Sequence, residues 1–374
     1  MRVPFHRVSI APGVGEAVER VLESGWLTTG EECLKLEQEI AGQLGVNYGQ
    51  VVTVSSCTAA LELACRVLCD REDIVAVPAM TFGATALAPL HAGQRVVVVD
   101  VLNESLNLNP ERIPTYADCV IPVHYGGAPA DLSEICNGER IVIEDAAHAW
   151  GAEFNGEKIG RCLYGSKQTD AACFSLYATK PVQCGEGGFV VFRELEKADE
   201  ARALRQHGMS CVASEMGLGG RYEIISPGIK ANLSDLLAAI ARAGLSEAEN
   251  DRRIRKALAV DYDRSLHKWV RVPIRDERSS NHLYPIRVAP MHRDEVAREL
   301  DEAGIQTSLH YRSLAYHRGI AWHPHVEIHQ TPVANAAGEE IISLPLFPSM
   351  TPEEHEYVVE SVQNAVGNLL AVAK

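Results

Sequence analysis

A lysine ahead of a glycine-rich turn is the residue of this sequence best suited to covalent chemistry. Lys180 lies five positions after Ser175 among small and apolar residues, and the run 185–188 that follows it reads Gly-Glu-Gly-Gly. Removal from water lowers the pKa of a lysine, and the neutral amine is the form that attacks a carbonyl to give an imine. The glycines allow a tight chain reversal and a close backbone approach to a ligand. Most lysines are solvated, so the interpretation depends on the neighbours of this one.

A carboxylate and a histidine follow an apolar run. Residues 140–145 read Arg-Ile-Val-Ile-Glu-Asp, and His148 comes after two alanines. A buried carboxylate costs free energy unless it has a partner, and a protonated ring nitrogen would be such a partner. The alternative is that Asp145 caps the following turn.

Small polar residues separate another apolar run from a helical pattern. Residues 55–60 read Ser-Ser-Cys-Thr-Ala-Ala. Small side chains let backbone N–H groups approach an anion, and a helix N-terminus adds a favourable dipole. Because serine and threonine are also ordinary N-caps, capping alone explains the same residues.

Together, the three features match the requirements of pyridoxal 5'-phosphate (PLP). The phosphate needs hydrogen-bond donors, the pyridine nitrogen needs a carboxylate, and the aldehyde needs an amine. The sequence therefore predicts a PLP site formed by the anion-binding turn, Asp145 and Lys180.

Short β-rich runs alternate with helical patterns through the first half of the chain. Continuous valine and isoleucine runs favour strands covered on both faces, as in a mostly parallel α/β sheet. A helix is predicted after Thr58, where Leu61, Ala64, Cys65 and Leu68 form one apolar stripe. The predicted strands are 51–56, 74–78, 95–100, 119–124, 140–145, 172–175 and 188–192.

The pattern changes after a long helix predicted over residues 232–262. We expect a large PLP-binding domain over residues 1–248, with the N-terminal segment packed alongside, and a smaller α+β domain over residues 249–374. In the smaller domain we predict a strand at 282–288 and helices at 293–303 and 351–370.

Composition narrows the classes of partner. The chain has 50 acidic and 35 basic residues and a net charge of −15, without the basic cluster of a nucleic-acid binder. It has no apolar run long enough to span a membrane and no apolar segment of a secretion signal, so we expect a cytoplasmic protein. We expect the ten cysteines to be small buried hydrophobes. The late histidines lack the spacing of metal ligands, so we predict no metal site.

The sequence resembles the PLP-dependent sugar aminotransferases of the DegT/DnrJ/EryC1/StrS family nearly from end to end. Each matching motif is weak alone, but their common order along the chain is specific. The motifs lie at 24–30, 56–61, 78–85, 122–126, 144–149, 174–180, 185–188, 205–208, 228–235, 308–311 and 343–346.

The resemblance implies a fold-type I PLP-dependent aminotransferase, with a mostly parallel seven-stranded sheet in the large domain. Lys180 would form the Schiff base and later move a proton between the substrate carbon and the cofactor. Asp145 would keep the ring nitrogen protonated, Phe82 would stack on the ring, and His148 would lie near the ring hydroxyl. The residues expected to bind the phosphate are Thr58, Ala59 and Ser175.

The resemblance also implies a homodimer with shared active sites. Lys230 or Asn232 would reach the phosphate of the neighbouring subunit, and the choice between them is open. Thr29, His310 and Tyr311 fall where the family contacts its sugar substrate.

The predicted reaction moves an amino group from L-glutamate (or glutamine) to a keto group of a nucleotide-linked sugar, giving an amino sugar. A cyclitol aminotransferase of the scyllo-inosose type and a non-catalytic PLP-fold sensor or regulator are the alternatives. The sugar dehydratases of the family carry histidine in place of Lys180, and a nicotinamide dehydrogenase would need a G-x-G-x-x-G motif that is missing.

Overall fold

The valine and isoleucine runs form strands because both faces of the sheet that contains them are covered. The computed structural model describes residues 1–138, 140–210, 222–272 and 276–372. Its strands are β1 (Val51–Val54), β2 (Ile74–Pro78), β3 (Arg95–Val99), β4 (Cys119–Val120), β5 (Ile141–Asp145), β6 (Glu153–Phe154), β7 (Glu157–Lys158), β8 (Leu163–Tyr164), β9 (Lys167–Gln168), β10 (Ala171–Ser175), β11 (Gly188–Phe192), β12 (Tyr284–Arg287), β13 (Val326–Ile328) and β14 (Ile341–Leu344).

Amphipathic segments form the helices. Some of these helices cover the sheet, and others form the C-terminal part of the chain. The first and second begin after glycines and end at left-handed glycines, Gly25 and Gly45. The helices are α1 (Val14–Ser24), α2 (Glu31–Leu44), α3 (Cys57–Leu68), α4 (Ala84–Ala92), α5 (Leu132–Ile135), α6 (Leu195–Leu204), α7 (Asp235–Leu245), α8 (Ala248–Leu266), α9 (Pro290–Glu302), α10 (Arg318–Ala321), α11 (Pro332–Glu340) and α12 (Pro352–Val372). Among the described helices, none is long and apolar enough to cross a bilayer.

The central sheet has eight strands in the order β1-β11-β10-β5-β4-β2-β3-β13. All neighbours pair in parallel except β11, which is antiparallel to both β1 and β10. The seven predicted runs all form strands of this sheet. The predicted strand number is therefore one too low, because the short and partly exposed β13 joins β3 from the C-terminal part of the chain.

Successive residues of the sheet pack on opposite faces. Ala76 and Val97 lie in one apolar core with helices α2 and α7, whereas Val75 and Val96 lie in a second core with α3 and α4. This alternation explains why the runs are apolar at successive positions, since each face of the sheet meets its own layer of helices.

The long helix predicted over residues 232–262 is wrong as a single element. The chain forms α7 and α8, with a break at Ser246 and Glu247. Ser246 Oγ donates to the carbonyl of Ala243 at 3.1 Å, and the Glu247 amide donates to the Gly244 carbonyl, so a turn replaces the helical ladder there.

A third apolar core lies in the C-terminal part of the chain. The antiparallel pair β12–β14 packs with α8, α9 and α12, and Val3 of the N-terminal segment joins the same core. The strand predicted at 282–288 and the helices predicted at 293–303 and 351–370 are present as β12, α9 and α12. The domain boundary between residues 248 and 249 stays a prediction.

The topology brings the three chemical features to one edge of the sheet. Asp145 ends β5 and Ser175 ends β10, and these strands are parallel neighbours. Ser56 follows β1, which runs in the same direction as β10. Ligands of α/β sheets bind outside the carboxyl ends of the strands, which is where these residues meet.

Candidate active site

A cavity of about 550 Å³ opens at the carboxyl edge of the sheet. The structure brings eight of the predicted site residues together in its wall: Thr58, Phe82, Asp145, His148, Ser175, Lys180, His310 and Tyr311. Ala59 lies in the first turn of α3, next to Thr58. Thr29, Lys230 and Asn232 do not line the described part of the cavity.

The two carboxylates at the end of β5 have different environments. Glu144 is fully buried, where it accepts hydrogen bonds from Tyr164 and Thr169 and pairs with His124 at 2.9 Å. Asp145 instead lines the cavity, although it is 5% exposed. Because neighbouring residues of a strand point to opposite faces, only Asp145 is available to a ligand.

Asp145 is held by two hydrogen bonds. Thr85 Oγ1 donates to Oδ2 at 2.8 Å, and the Ala147 amide donates to Oδ1 at 3.2 Å. Burial raises the pKa of Asp145, and these hydrogen bonds and the charge of Lys180 oppose the rise. A cationic ligand in the cavity would favour the carboxylate further.

Lys180 reaches the same cavity from the turn after β10. Removal from water lowers the pKa of its amine to about 8, against the opposing charge of Asp145. Nζ lies 3.2 Å from Nε2 of His282. At pH 7 about one tenth of a lysine with this pKa is the neutral, nucleophilic amine, far more than of a solvated lysine.

His148 and Tyr311 form one wall of the cavity. Their rings are stacked with centroids 6.3 Å apart, and Nε2 of His148 is hydrogen-bonded to the Tyr311 hydroxyl at 3.2 Å. Burial lowers the pKa of His148 well below its usual value, so the imidazole is neutral. Its Nδ1 is buried without a hydrogen-bond partner among the described residues, which leaves one polar atom for a ligand.

Three residues of the site were missed by the sequence reasoning. His6 of the N-terminal segment and His282, two residues before β12, line the cavity, and Thr85 of α4 donates a hydrogen bond to Asp145. No local pattern identifies the two histidines, because they lie far from Lys180 in sequence. Thr85 stood at the end of the family motif 78–85, which is a signal of its place although not of its partner.

His310 lies at the rim of the cavity beside the N-terminal segment. Its Nδ1 is hydrogen-bonded to Ser343 Oγ at 2.9 Å, and its ring is 5.4 Å from that of Phe5. Burial lowers the pKa of His310 to about 4, so it too is a neutral hydrogen-bonding group.

The N-terminus of α3 provides the anion-binding end. Ser56 caps the helix, since its Oγ accepts from the Ala59 amide at 3.1 Å. The first turn of a helix has further N–H groups without intrahelical partners, and the helix dipole favours an anion there. Ser175 also lines the cavity, at the end of β10, and its Oγ accepts from the Tyr177 amide at 3.2 Å.

Thr29, Asn232 and Lys230 form a separate hydrogen-bonded chain. Asn232 Nδ2 donates to Thr29 Oγ1 at 2.6 Å, and Lys230 Nζ donates to Asn232 Oδ1. Lys230 is exposed to solvent. Phe82, by contrast, lines the cavity, although it is 64% exposed. The polar chain thus lies on a surface of the subunit, outside the cavity of the same subunit.

The fold and the site define the chain as an α/β PLP-dependent aminotransferase. A model of the DegT/DnrJ/EryC1/StrS aminotransferase family matches residues 10–363, and the chain belongs to this family.

Solved structures of other proteins are similar to this one over almost the full chain. The aminotransferase TlmJ from Streptoalloteichus hindustanus is 28% identical, with 97% of this chain and 100% of that chain covered and a TM-score of 0.87. DesV of S. venezuelae, in complex with a ketimine intermediate, is 29% identical, with 98% of each chain covered and a TM-score of 0.87. Spr1654 from Streptococcus pneumoniae, in its PMP form, is 26% identical, with 98% of this chain and 100% of that chain covered and a TM-score of 0.89. The family is one of aminotransferases, and Spr1654, described as a putative sugar aminotransferase, has been solved in both PLP and PMP forms. These matches confirm the predicted family, fold class, enzyme class and cofactor.

The residues of the cavity fit PLP. The buried carboxylate of Asp145 suits a protonated ring nitrogen, and the unpartnered Nδ1 of His148 suits a polar contact with the ring hydroxyl. Lys180 supplies the amine, and the first turn of α3 suits a phosphate. The role of each individual residue stays a proposal.

Proposed function

We propose that the enzyme transfers an amino group from L-glutamate (or glutamine) to a keto group of a nucleotide-linked sugar, giving an amino sugar. The observation that carries this proposal is the convergence of Lys180, Asp145 and the N-terminus of α3 on one cavity. Family membership and the similarity to sugar aminotransferases support the acceptor class.

The proposed chemistry divides between the cofactor and the protein. When bound, PLP supplies an aldehyde that takes up the amino group and a ring that withdraws electrons from the reacting carbon. Asp145 would hold a negative charge against the ring nitrogen, and the hydrogen bonds from Thr85 and the Ala147 amide both orient its carboxylate and favour its charged form. Lys180 accepts a proton at Nζ from the amino donor and later returns a proton to the sugar carbon, which its lowered pKa permits near neutral pH.

Neutral polar groups surround the proposed acceptor position. His310 and Tyr311 offer hydrogen-bonding atoms without a net charge, which suits the hydroxyl groups of a sugar, whereas His148 would lie near the ring hydroxyl of the cofactor. Phe82 would cover one face of the cofactor ring from the mouth of the cavity. Ser175, Thr58 and Ala59 are proposed to bind the phosphate.

A homodimer with shared active sites is part of this proposal. Thr29, Asn232 and Lys230 are linked to one another but not to the cavity of their own subunit, so a role at a site requires the neighbouring subunit. Lys230 or Asn232 would then contact the neighbouring phosphate. A cytoplasmic location is proposed as well, and the unpaired state of every described cysteine agrees with a reducing compartment.

A substrate panel tests the proposed reaction. The purified enzyme is incubated with glutamate and either 3-keto nucleotide sugars, 4-keto nucleotide sugars or scyllo-inosose, and 2-oxoglutarate is measured. Formation of 2-oxoglutarate with a keto nucleotide sugar, together with the corresponding amino sugar, is the expected result. Turnover with none of the nucleotide sugars would contradict the proposed acceptor.

A cyclitol acceptor is favoured by one observation. Among the described residues that line the cavity, Lys180 is the one lysine or arginine, and Asp145 and Glu186 are the acids. A nucleotide diphosphate would need cations from elsewhere, whereas an uncharged cyclitol would not. Turnover with scyllo-inosose alone in the same panel would decide for this second candidate.

A further inference from the structure

His282 contacts the amine of Lys180 but has no role in the chemistry described so far. Its Nε2 lies 3.2 Å from Lys180 Nζ, and its side chain is 6% exposed in the wall of the cavity. The ring is 4.5 Å from that of His148, with an angle of 33° between the planes. Both rings therefore stand as a pair beside the amine.

The backbone of His282 is held from behind the cavity. Arg255, which is 1% exposed, donates from Nη1 to the carbonyl oxygens of Leu346 at 2.7 Å and His282 at 3.4 Å. This arrangement places a buried positive charge behind the histidine. Burial and the nearby charges of Lys180 and Arg255 lower the pKa of His282 well below its usual value.

The direction of the hydrogen bond follows from these charges. A protonated lysine has only donors, so Nε2 of the neutral His282 must be the acceptor and the ring proton must lie on Nδ1. Nδ1 is buried without a hydrogen-bond partner among the described residues. The histidine therefore owes its orientation to its packing and to Lys180.

We propose that His282 is a positioning residue, whose neutral imidazole accepts a hydrogen bond from Lys180 Nζ and fixes the free amine within the cavity. This inference rests on the proposed role of Lys180 as the amine of the site. A lysine side chain has many rotamers, and holding its amine in one place removes that freedom before each proton transfer.

The hydrogen bond has a measurable electrostatic consequence. An acceptor stabilises the ammonium form more than the amine, because charge-assisted hydrogen bonds are the stronger ones. Loss of His282 Nε2 should therefore lower the pKa of Lys180. The other titratable and charged groups that act on Lys180 or His282 are Cys57, Asp145, His6, His148, Arg255 and His310.

The test measures the acylation rate of Lys180 in the cofactor-free full chain against pH, by mass spectrometry of its peptide. His282→Phe keeps a ring without an acceptor, His282→Gln places an amide oxygen near the position of Nε2, and His282→Asn is too short to reach it. We expect the titration midpoint to fall by about one pH unit in His282→Phe and His282→Asn. In His282→Gln it should return towards the wild-type value.

A second readout uses the holoenzyme. In His282→Phe we expect kcat to fall on the order of 100-fold with little change in KM, because positioning acts on the reacting step. Circular dichroism shows whether each variant is folded. If the phenylalanine variant is not, the asparagine and glutamine variants give the same comparison.

An unchanged midpoint in both His282→Phe and His282→Asn would overturn the inference, as would a glutamine variant with the midpoint of the asparagine variant. The labelling needs neither cofactor nor sugar. A failure of the proposed reaction would therefore leave this result intact, and the failure of this inference would not affect the substrate panel.

Discussion

Thr85 and Asp145 are joined by a buried hydrogen bond between the start of α4 and the end of β5. Thr85 Oγ1 donates to Asp145 Oδ2 at 2.8 Å, and Thr81 Oγ1 lies 2.7 Å from the same hydroxyl. Neither threonine is more than 2% exposed. The carboxylate is thus oriented before a ligand enters, which spares a ligand the cost of ordering it.

Thr85→Val should weaken cofactor binding. The variant keeps the shape of the side chain but removes the donor to Asp145, and the carboxylate loses one of the two hydrogen bonds that oppose the rise of its pKa. We expect the Kd for PLP to increase about 10- to 100-fold, measured by absorbance titration of the cofactor-free protein. Thr85→Ser, which keeps the hydroxyl, is the matched control. Equal affinity in the valine variant and the wild type would contradict the role.

Gly188→Ala should disturb the anion-binding end. A methyl group at Gly188 would lie 2.5 Å from the carbonyl carbon of Ser56 and 2.6 Å from the amide nitrogen of Cys57, so the start of α3 would have to move. We expect faster loss of cofactor on dialysis, because the phosphate contacts depend on that turn. Gly42→Ala is the control, since a methyl group there meets nothing within 4 Å. Retention of cofactor by both variants would show that the turn tolerates the shift.

His310 should make the folded state sensitive to acid. Its pKa is about 4 in the folded chain against the ordinary value of 6.5, so the unfolded chain binds the extra proton between these limits. The contribution of the neutral, buried His310 to the free energy of unfolding is therefore complete above pH 6.5. It is lost as the pH falls towards 4, because protonation then favours the unfolded chain. In His310→Gln the free energy of unfolding of the cofactor-free protein, measured by urea titration, should fall less over that range. Parallel curves would contradict the burial of a neutral His310.

Subunit mixing tests the shared site and decides between Lys230 and Asn232. Lys180→Ala and either Lys230→Ala or Asn232→Ala, each of low activity alone, should regain activity as hybrid dimers, because one site then has every residue intact. The control pair is Lys180→Ala with Asp145→Asn, which damages both sites of the hybrid and should give no recovery. The partner variant that recovers identifies the residue that acts across the interface. Absence of recovery with both would contradict a shared site.

Hydrophobic pattern predicted most of the central sheet. The seven runs could be recognised in the sequence because their residues are buried on both faces of the sheet. The helix after Thr58 could be recognised because its apolar stripe faces a core. Strand β13 was missed, since three partly exposed residues carry no such pattern. The break between α7 and α8 was missed because Ser246 and Glu247 keep helical backbone angles, and only their hydrogen bonds interrupt the helix.

The site was predictable where chemistry and local sequence coincide. Asp145 ends a strand, Lys180 and the turn before α3 each follow one, and parallel strands bring such residues to one edge. His282 could not be found in this way, because its contact with Lys180 joins residues 102 positions apart and arises from the packing of the C-terminal part on the sheet. Thr29, Lys230 and Asn232 matched family motifs, yet their hydrogen-bonded chain belongs to the subunit surface.

The central claim is that Lys180 carries the cofactor. Borohydride reduction of the holoenzyme fixes an imine as a stable amine, and mass spectrometry of the peptides then locates the phosphopyridoxyl group. We expect this group on Lys180, with no label and no turnover in Lys180→Ala and normal labelling in the exposed control Lys158→Ala. A label on another lysine, or normal transamination by Lys180→Ala, would contradict it.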